Sequence, residues 1–565
     1  MTRAFSGAAA GAEVVATVAN RRRRPWWTRA ERVLGLLALW LLASAWLRPL
    51  LLPDEARYGE VAREMLAGDR LVPLLNGLPF FHKPPLTYWV DMAGMALLGV
   101  SPFTARLGPL LGAWLMGAAL WLALRRRHGP ETAGTGLLVL ATCPFFYIGA
   151  QYANHDMLVA GTLAVALLCL ARALEGGTPP LRPADADRRR PALDRRWPAV
   201  DRRWLVAGWA ACGLAVLAKG LIGIVLPALV IGPWLLAQRR WRDLLALLHP
   251  LGLVVFVLVA LPWYGLMQWR YPGFFDYFIV EQHFRRFAQT GFNNQQRWWF
   301  YLLVLPALTL PWAGWAWPAA KRAAALLRPA RLRWPGLADI GFWRQADEAT
   351  PPAAASAADR QFTGLMLWWL LAIVGFFSLP SSKLVGYILP VLAPWCALLA
   401  PVLVASRWRW RMLALAALLC LAIVAGLAWL APKSNRDIGQ ALRAQVGEQD
   451  LVVLVDDAFN DVSFEARLAQ PPLVASDWAD PELPTRDNWR KELVDATRFD
   501  ASRGAALLLP IGELPQLVCR GRRLWLVEAN DGPSRAAAVP GARLVLQGRH
   551  ARLWRAEPVA CSAAR

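Results

Sequence analysis

Apolar runs of about 20 residues recur along the chain from Val33 to Ala431, separated by short polar segments and by no long hydrophilic domain. A helix that crosses a bilayer needs about 20 consecutive apolar residues, whereas a soluble core does not. The pattern therefore predicts an all-α polytopic membrane protein with about 11–13 transmembrane helices and interfacial helices beside them. Spans fall near 33–52, 102–124, 131–149 and 157–174, in a hairpin around Ala218-Lys219-Gly220, and near 243–266, 298–318, 362–379, 384–406 and 412–431. The polar stretch 53–101 after the first span contains Tyr58, Val61, Ala62 and Met65 at i, i+3, i+4, i+7 spacing, with Arg57, Glu60 and Glu64 opposite them. That periodicity predicts an amphipathic helix lying in the plane of the interface. After Lys433 the pattern changes to short strand-like runs at Leu451 to Val455, Ala505 to Leu509, Leu524 to Glu528 and Ala542 to Leu546, with a helical pattern over Asn488 to Thr497. The predicted organisation is a disordered cytoplasmic segment 1–30, a transmembrane domain 31–432 with its first outer loop at 53–101, and a small α/β domain 433–565.

The formal charge of +22 over 565 residues would suit a nucleic-acid binder, but its placement does not. Arg21 to Arg24, Arg125 to Arg127, Arg188 to Arg190, Arg239, Arg240 and Arg407 each flank an apolar run, as the positive-inside rule expects of cytoplasmic loops. The same asymmetry puts Asn20 and Arg188 in the cytoplasm of a bacterial inner-membrane protein. It puts Asn76, Asn293 and the domain after Lys433 in the periplasm. A cleaved signal peptide ending at Ala43-Ser44-Ala45 is excluded because the apolar run continues through Leu52. Of seven cysteines, Cys143, Cys169, Cys212, Cys396 and Cys420 lie in apolar runs, and none has metal-type spacing. Cys519 and Cys561 share the C-terminal domain, where an oxidising compartment would permit a disulfide.

With sides assigned, the outer loops hold Asp54, Glu55, Arg57, His82, Lys83, His155, Asp156, His283, Arg285, Arg286 and Lys383. Each has an ordinary explanation by itself. Asp54 and Glu55 suit an acidic first helical turn, His155 and Asp156 a helix cap, and Lys83 and Lys383 snorkelling at an interface. Together they concentrate costly charge at one face of the membrane, which tends to mark function. A transporter, whether of lipid or of sugar, would instead place ionisable groups near the midplane on repeated, broken helices. No internal repeat is visible, and Asp91 is the main charge within the spans. The distribution fits an enzyme acting on a lipid-borne substrate.

The segment Pro53-Asp54-Glu55-Ala56-Arg57-Tyr58, continuing through Leu75-Asn76-Gly77 and Pro79 to Lys83-Pro84-Pro85-Leu86 and Tyr88-Trp89, resembles the first outer loop of the bacterial aminoarabinose transferases. These form glycosyltransferase family 83 of the GT-C superfamily and are related to protein O-mannosyltransferases. Lys219-Gly220, Pro262-Trp263-Tyr264, Glu281 to Phe287, Trp298-Trp299 with Tyr301, and Ser382-Lys383-Leu384 with Tyr387 to Pro390 extend the resemblance over about residues 30 to 405. It implies a GT-C fold and a polyprenyl (undecaprenyl) phosphate sugar donor. It also implies transfer at the periplasmic face, of 4-amino-4-deoxy-L-arabinose to a lipid A phosphate, the reaction of polymyxin resistance; another sugar, or a protein hydroxyl acceptor as in O-mannosylation, is the alternative. A monomer with no organic cofactor is expected.

Breaking the bond between an anomeric carbon and a phosphate passes through an oxocarbenium-like state. Such chemistry needs fixed cations on the leaving phosphate. Arg57, Lys83, Arg286 and Lys383 are the candidates. Asp54, Asp156 and Glu55 are the candidate catalytic carboxylates, with Tyr58, His82, His155 and Tyr387 as substrate contacts. His82 stands where many relatives carry Glu. If that Glu serves a divalent metal (Zn, Mg or Mn), His82 and His283 are the imidazoles that could replace it.

Overall fold

The computed structural model describes residues 29–175, 200–285, 294–327, 356–430, 433–483 and 485–559. The apolar runs form helices α1 (Ala30–Leu42), α4 (Leu107–Ala141), α5 (Pro144–Ala150), α6 (Asp156–Glu175), α7 (Arg202–Lys219), α8 (Ile222–Ala237), α9 (Pro250–Arg270), α10 (Phe300–Leu308), α11 (Ala316–Leu327), α12 (Ala357–Ser378), α13 (Leu392–Leu403) and α14 (Arg409–Leu430). The first outer loop adds α2 (Asp54–Ala67) and α3 (Leu86–Leu98), joined through the two-stranded hairpin β1 (Leu74–Leu75) and β2 (Leu78–Pro79). The chain is a multi-pass membrane protein. Apolar helices recur along the bundle as expected. Among the described residues six helices are long and apolar enough to cross a membrane, or seven if the pair bent by 107° around Leu308 to Trp312 counts as one. Shorter apolar helices, Leu86–Leu98 and Ile222–Ala237, lie among them.

The longest of these helices is itself two. Gly129 sits at φ +82°, and a side chain added at Gly136 would collide with Leu124. Twelve residues along a straight helix span about 18 Å, so the chain doubles back at Gly129. Asp91 starts the first half: buried on α3, it accepts the Gly108 N–H at 2.7 Å. It thereby supplies an acceptor to an N-terminus that lacks one. Where α4 crosses α6, Gly112 and Gly161 put backbone against backbone, and no side chain fits between them. Close crossings on small residues are how membrane helices gain packing without a hydrophobic drive. This one fixes the height and rotation of α6, and with them the position of Asp156 at its first turn.

The C-terminal residues form a six-stranded sheet in the order β5-β4-β3-β6-β8-β7, from β3 (Leu451–Val455), β4 (Leu473–Ser476), β5 (Leu508–Pro510), β6 (Leu524–Ala529), β7 (Arg543–Gln547) and β8 (Ala551–Ala556). Strands β3 to β6 run parallel, and β7 and β8 add antiparallel. The expected strand at Ala505 to Leu509 is mostly helix, Ala501–Leu507, because Asp500 caps that helix through the Arg503 N–H. Strands β4 and β8 were not expected. Cys519 is disulfide-bonded, while Cys561, its expected partner, lies outside the described residues.

The domain rests on the first loop. Leu52 N–H donates to Lys433 O at 3.0 Å, Arg63 reaches Leu468 O at 2.8 Å, and the Phe464 ring lies over Gly59. Helix α2 is therefore covered on both sides. Glu60 is fully buried, and Arg63 pairs with it at 2.6 Å. The expected amphipathic helix is covered by the C-terminal domain, whose helix α15 (Asn460–Ala466) packs on it. Asn20, Arg188 and Asn293 lie outside the described residues, and Asn76 lies against the C-terminal domain beside Lys433 and Phe459.

Candidate active site

At the end of the bundle that the C-terminal domain covers, α6, α7, α12 and the loops 82–83, 282–283 and 380–390 enclose a cavity of about 140 Å³. Its polar lining includes His82, Lys83, Asp156, Lys219, Gln282 and Tyr387, and Phe376, Phe377, Ile222 and Leu226 form an apolar wall. Asp156 stands at the first turn of α6, where the helix dipole favours a carboxylate. Its backbone N–H is held by Asn154 Oδ1 at 3.0 Å, and Asn154 Nδ2 donates back to Oδ2 at 3.3 Å. The other carboxylate oxygen pairs with Lys219 Nζ, both side chains being largely buried. Lys219 also lies 4.6 Å from the centre of the Tyr387 ring, the geometry of a cation–π contact. Any side chain at Gly386 would strike the Asp156 carboxylate, so the tyrosine loop can approach this closely only with glycine there.

Behind the cavity His155 is wedged edge-on between Tyr58 and Tyr88, with ring centres at 4.6 and 4.8 Å. It is 2% exposed, and among the described residues neither ring nitrogen meets a hydrogen-bonding partner; nor does the Tyr88 hydroxyl. Burial, and then the charges of Lys83, Lys219 and Arg57, hold its pKa well below the ordinary histidine value. Three cations thus converge on a neutral imidazole. Tyr58 is pushed above its ordinary value by burial, with Arg57 opposing and Asp54, Glu492 and Asp156 reinforcing. One phenol therefore feels both candidate acids, Asp54 and Asp156.

The residues singled out in the sequence separate into groups. His82, Lys83, Asp156 and Tyr387 line the cavity, and Tyr58 and His155 back it. Asp54 and Arg57 stand outside it, at the seam with the C-terminal domain. Arg57 bonds Asp54 at 2.5 Å and grips both oxygens of Glu492 at 2.5 and 2.6 Å. Glu492, on the helix Trp489–Thr497, also comes within 3.8 Å of His82 Nδ1.

Two candidates are corrected. Glu55 is fully buried, bonded to Arg48 and Arg106, and accepts the N–H groups of Ala153 at 2.9 Å and Leu51 at 3.2 Å. It is a structural hub with no free face for a sugar. Lys383 is turned to backbone, where Nζ donates to Gln296 O of the segment before α10 at 2.9 Å and to Pro380 O of its own loop, and it does not line the cavity. Arg286 lies outside the described residues.

The metal expectation fails a test of fit. His283 uses both nitrogens, Nδ1 against Phe278 O at 2.6 Å and Nε2 as acceptor of the Leu221 N–H at 3.3 Å. Among the described residues no three His, Cys, Asp or Glu side chains gather as ligands. Lys219 was missed as a site residue, although the signal existed: a lysine within an apolar hairpin, where charge is costly.

Comparison with known proteins agrees with this architecture. Residues 34–278 match the family model described as dolichyl-phosphate-mannose-protein mannosyltransferase. The chain is 32% identical over 369 residues to an undecaprenyl phosphate-alpha-4-amino-4-deoxy-L-arabinose arabinosyl transferase of Erwinia tasmaniensis, covering 64% of this chain and 57% of that one. It is 31% identical over 384 residues to an enzyme of the same name from Pseudomonas fluorescens, covering 67% and 60%. The chain thus matches somewhat over half the length of these curated relatives. The crystal structure of ArnT from Cupriavidus metallidurans bound to undecaprenyl phosphate superposes with a TM-score of 0.71 at 23% identity, over 93% of this chain and 97% of that one. By sequence the chain is similar to these arabinosyl transferases and to the mannosyltransferase family model, and it shares the fold of the ArnT structure.

Proposed function

We propose that this protein transfers 4-amino-4-deoxy-L-arabinose from undecaprenyl phosphate to a lipid A phosphate, at the face of a bacterial inner membrane that carries the C-terminal domain. The observation that carries the reading is the buried Asp156–Lys219 pair beside Lys83 at one end of a cavity walled by aromatic side chains. A fixed ammonium next to a fixed carboxylate suits a reaction in which a phosphate leaves with negative charge while the sugar carbon becomes positive. In this reading Lys83 and Lys219 hold the leaving phosphate. Asp156 faces the anomeric carbon, while Asp54, outside the cavity, holds Arg57 in place. The bare nitrogens of His155 and the Tyr88 hydroxyl accept and donate to sugar groups, because a buried polar atom without a partner costs about 1–3 kcal/mol. A phosphate acceptor is already ionised near neutral pH and needs no strong general base.

The test is to incubate the purified protein with undecaprenyl-phosphate aminoarabinose and lipid A, and to follow the mass of lipid A. Addition of one aminoarabinose is the expected result. A lipid A that stays unmodified while a protein serine or threonine gains a sugar would overturn the acceptor and favour the mannosyltransferase-like alternative.

A further inference from the structure

Helix α6 carries Asp156 at one end and Glu175 at the other, 19 residues later and so about 28 Å away. Around Glu175 lies a second and larger cavity, of about 660 Å³, which the proposed transfer does not use. Its walls are apolar side chains of α4, α6 and α12, such as Leu115, Leu122, Val165 and Leu365. Its rim holds four arginines, Arg125, Arg126, Arg127 and Arg172, against the single carboxylate of Glu175. Glu175 is shared by three of them, at 3.0 Å from Arg126, 2.5 Å from Arg127 and 3.1 Å from Arg172.

Three of the guanidiniums are braced on aromatic rings. Arg125 lies 4.8 Å from Trp121, Arg127 5.8 Å from Phe362 and Arg172 6.0 Å from Trp204. Arg125 has no ion pair among the described residues. Four held cations with one counter-charge leave a net positive rim over an apolar slot. Basic pockets between membrane helices are suited to anionic lipid headgroups, and the volume lies within the roughly 300–1,000 Å³ usual for ligand sites.

The geometry points to a binding site for an anionic phospholipid at this end of the bundle. Its phosphate sits among Arg125, Arg126, Arg127 and Arg172, and one chain lies in the slot between α4 and α12. Such a lipid would tie α4, α6 and α12 together at the end opposite the sugar-transfer cavity. The bound species is an amphiphile rather than free phosphate, because the slot behind the rim offers only apolar wall.

Native mass spectrometry of the delipidated full chain tests this, using phosphatidylglycerol and phosphatidylethanolamine with identical chains. Retention of phosphatidylglycerol in clear preference is expected. In Arg125→Gln/Arg126→Gln its affinity should fall about 30-fold, which is two charges at about 1 kcal/mol each. Leu122→Trp fills the slot without touching the arginines and should also displace the lipid, which keeps the test open if the double variant folds poorly. Equal binding of the two lipids, or an undiminished preference in the well-folded variants, would overturn the site. So would competition by millimolar inorganic phosphate, which would indicate a phosphate site without a lipid.

Discussion

Glu55 and Asp54 are neighbours in one acidic turn, yet the structure gives them opposite fates, and Glu55→Gln separates structure from chemistry. The wild-type carboxylate is fully buried and faces two guanidiniums that are themselves at most 1% exposed. Burial alone would raise its pKa, but Arg106 and Arg48 outweigh it and hold the group below the ordinary glutamate value. A folded-state pKa that is lowered contributes stability above the unfolded value, and loses it as the pH falls through the folded one. At neutral pH the full contribution is present. Glutamine keeps the shape and one acceptor but removes the charge, so two buried cations lose their counter-ion. Removing one partner of a buried pair typically costs about 3–5 kcal/mol.

Arg106 also holds Ala45 O, Arg48 O and Pro49 O at 2.8–2.9 Å, so its displacement would loosen the turn that launches α2. The expected outcome is an apparent Tm lowered on the order of 5–10 °C in detergent, with residual activity following the folded fraction. The assay is thermal unfolding by intrinsic tryptophan fluorescence, run beside transfer activity on the soluble fraction. A Glu55→Gln protein with wild-type Tm and no activity would refute the structural assignment and return Glu55 to the catalytic set.

Asp156→Asn and Lys219→Met should each lower turnover by about 100-fold or more, the scale of losing one preorganised transition-state partner, while undecaprenyl phosphate still binds; single-turnover kinetics with saturating donor decides. Burial presses the His283 pKa down to about 4, with contacts to Phe278 O and the charges of Lys83 and Lys219 as smaller influences. Its contribution to stability is complete above pH 6.5 and falls, by up to about 3 kcal/mol, as the pH drops from 6.5 to 4. The Tm of His283→Asn should vary less over that interval than the wild type's, and an unchanged slope would count against it. Glu492→Gln removes the carboxylate that Arg57 grips at the seam with the C-terminal domain, so the Tm should fall by a few degrees while kcat and donor KM stay near wild type; a donor KM changed several-fold would show that this seam also serves the donor.

Much of this arrangement was legible because membrane insertion imposes a one-dimensional rule: apolar length marks helices, and charge marks their ends. The helical period in 54–67 is real, and the strands Leu451–Val455 and Leu524–Ala529 follow from unbroken runs of branched and aromatic residues. Strand β8 was hidden because Ala551–Ala556 alternates Arg with apolar residues and reads as a polar tail until β6 pairs with it. The burial of helix α2 was hidden for a similar reason. Glu60 and Arg63 look solvent-facing in isolation, and only a domain some 400 residues later makes them interior.

What the sequence could not do was sort equivalent charges. Asp54, Glu55 and Asp156 are all acids at the start of a helix, and nothing local distinguishes them. Their roles depend on partners at 3, 51 and 63 residues' separation: Arg57 for Asp54, Arg106 for Glu55 and Lys219 for Asp156. A carboxylate buried between two guanidiniums and two backbone N–H groups is mortar, and one that lines a cavity beside a single ammonium is available for chemistry. The sequence names the ionisable groups. The fold decides which of them still have a face to offer a substrate, and here that leaves Asp156, with Lys219 beside it, as the pair best placed to act on one.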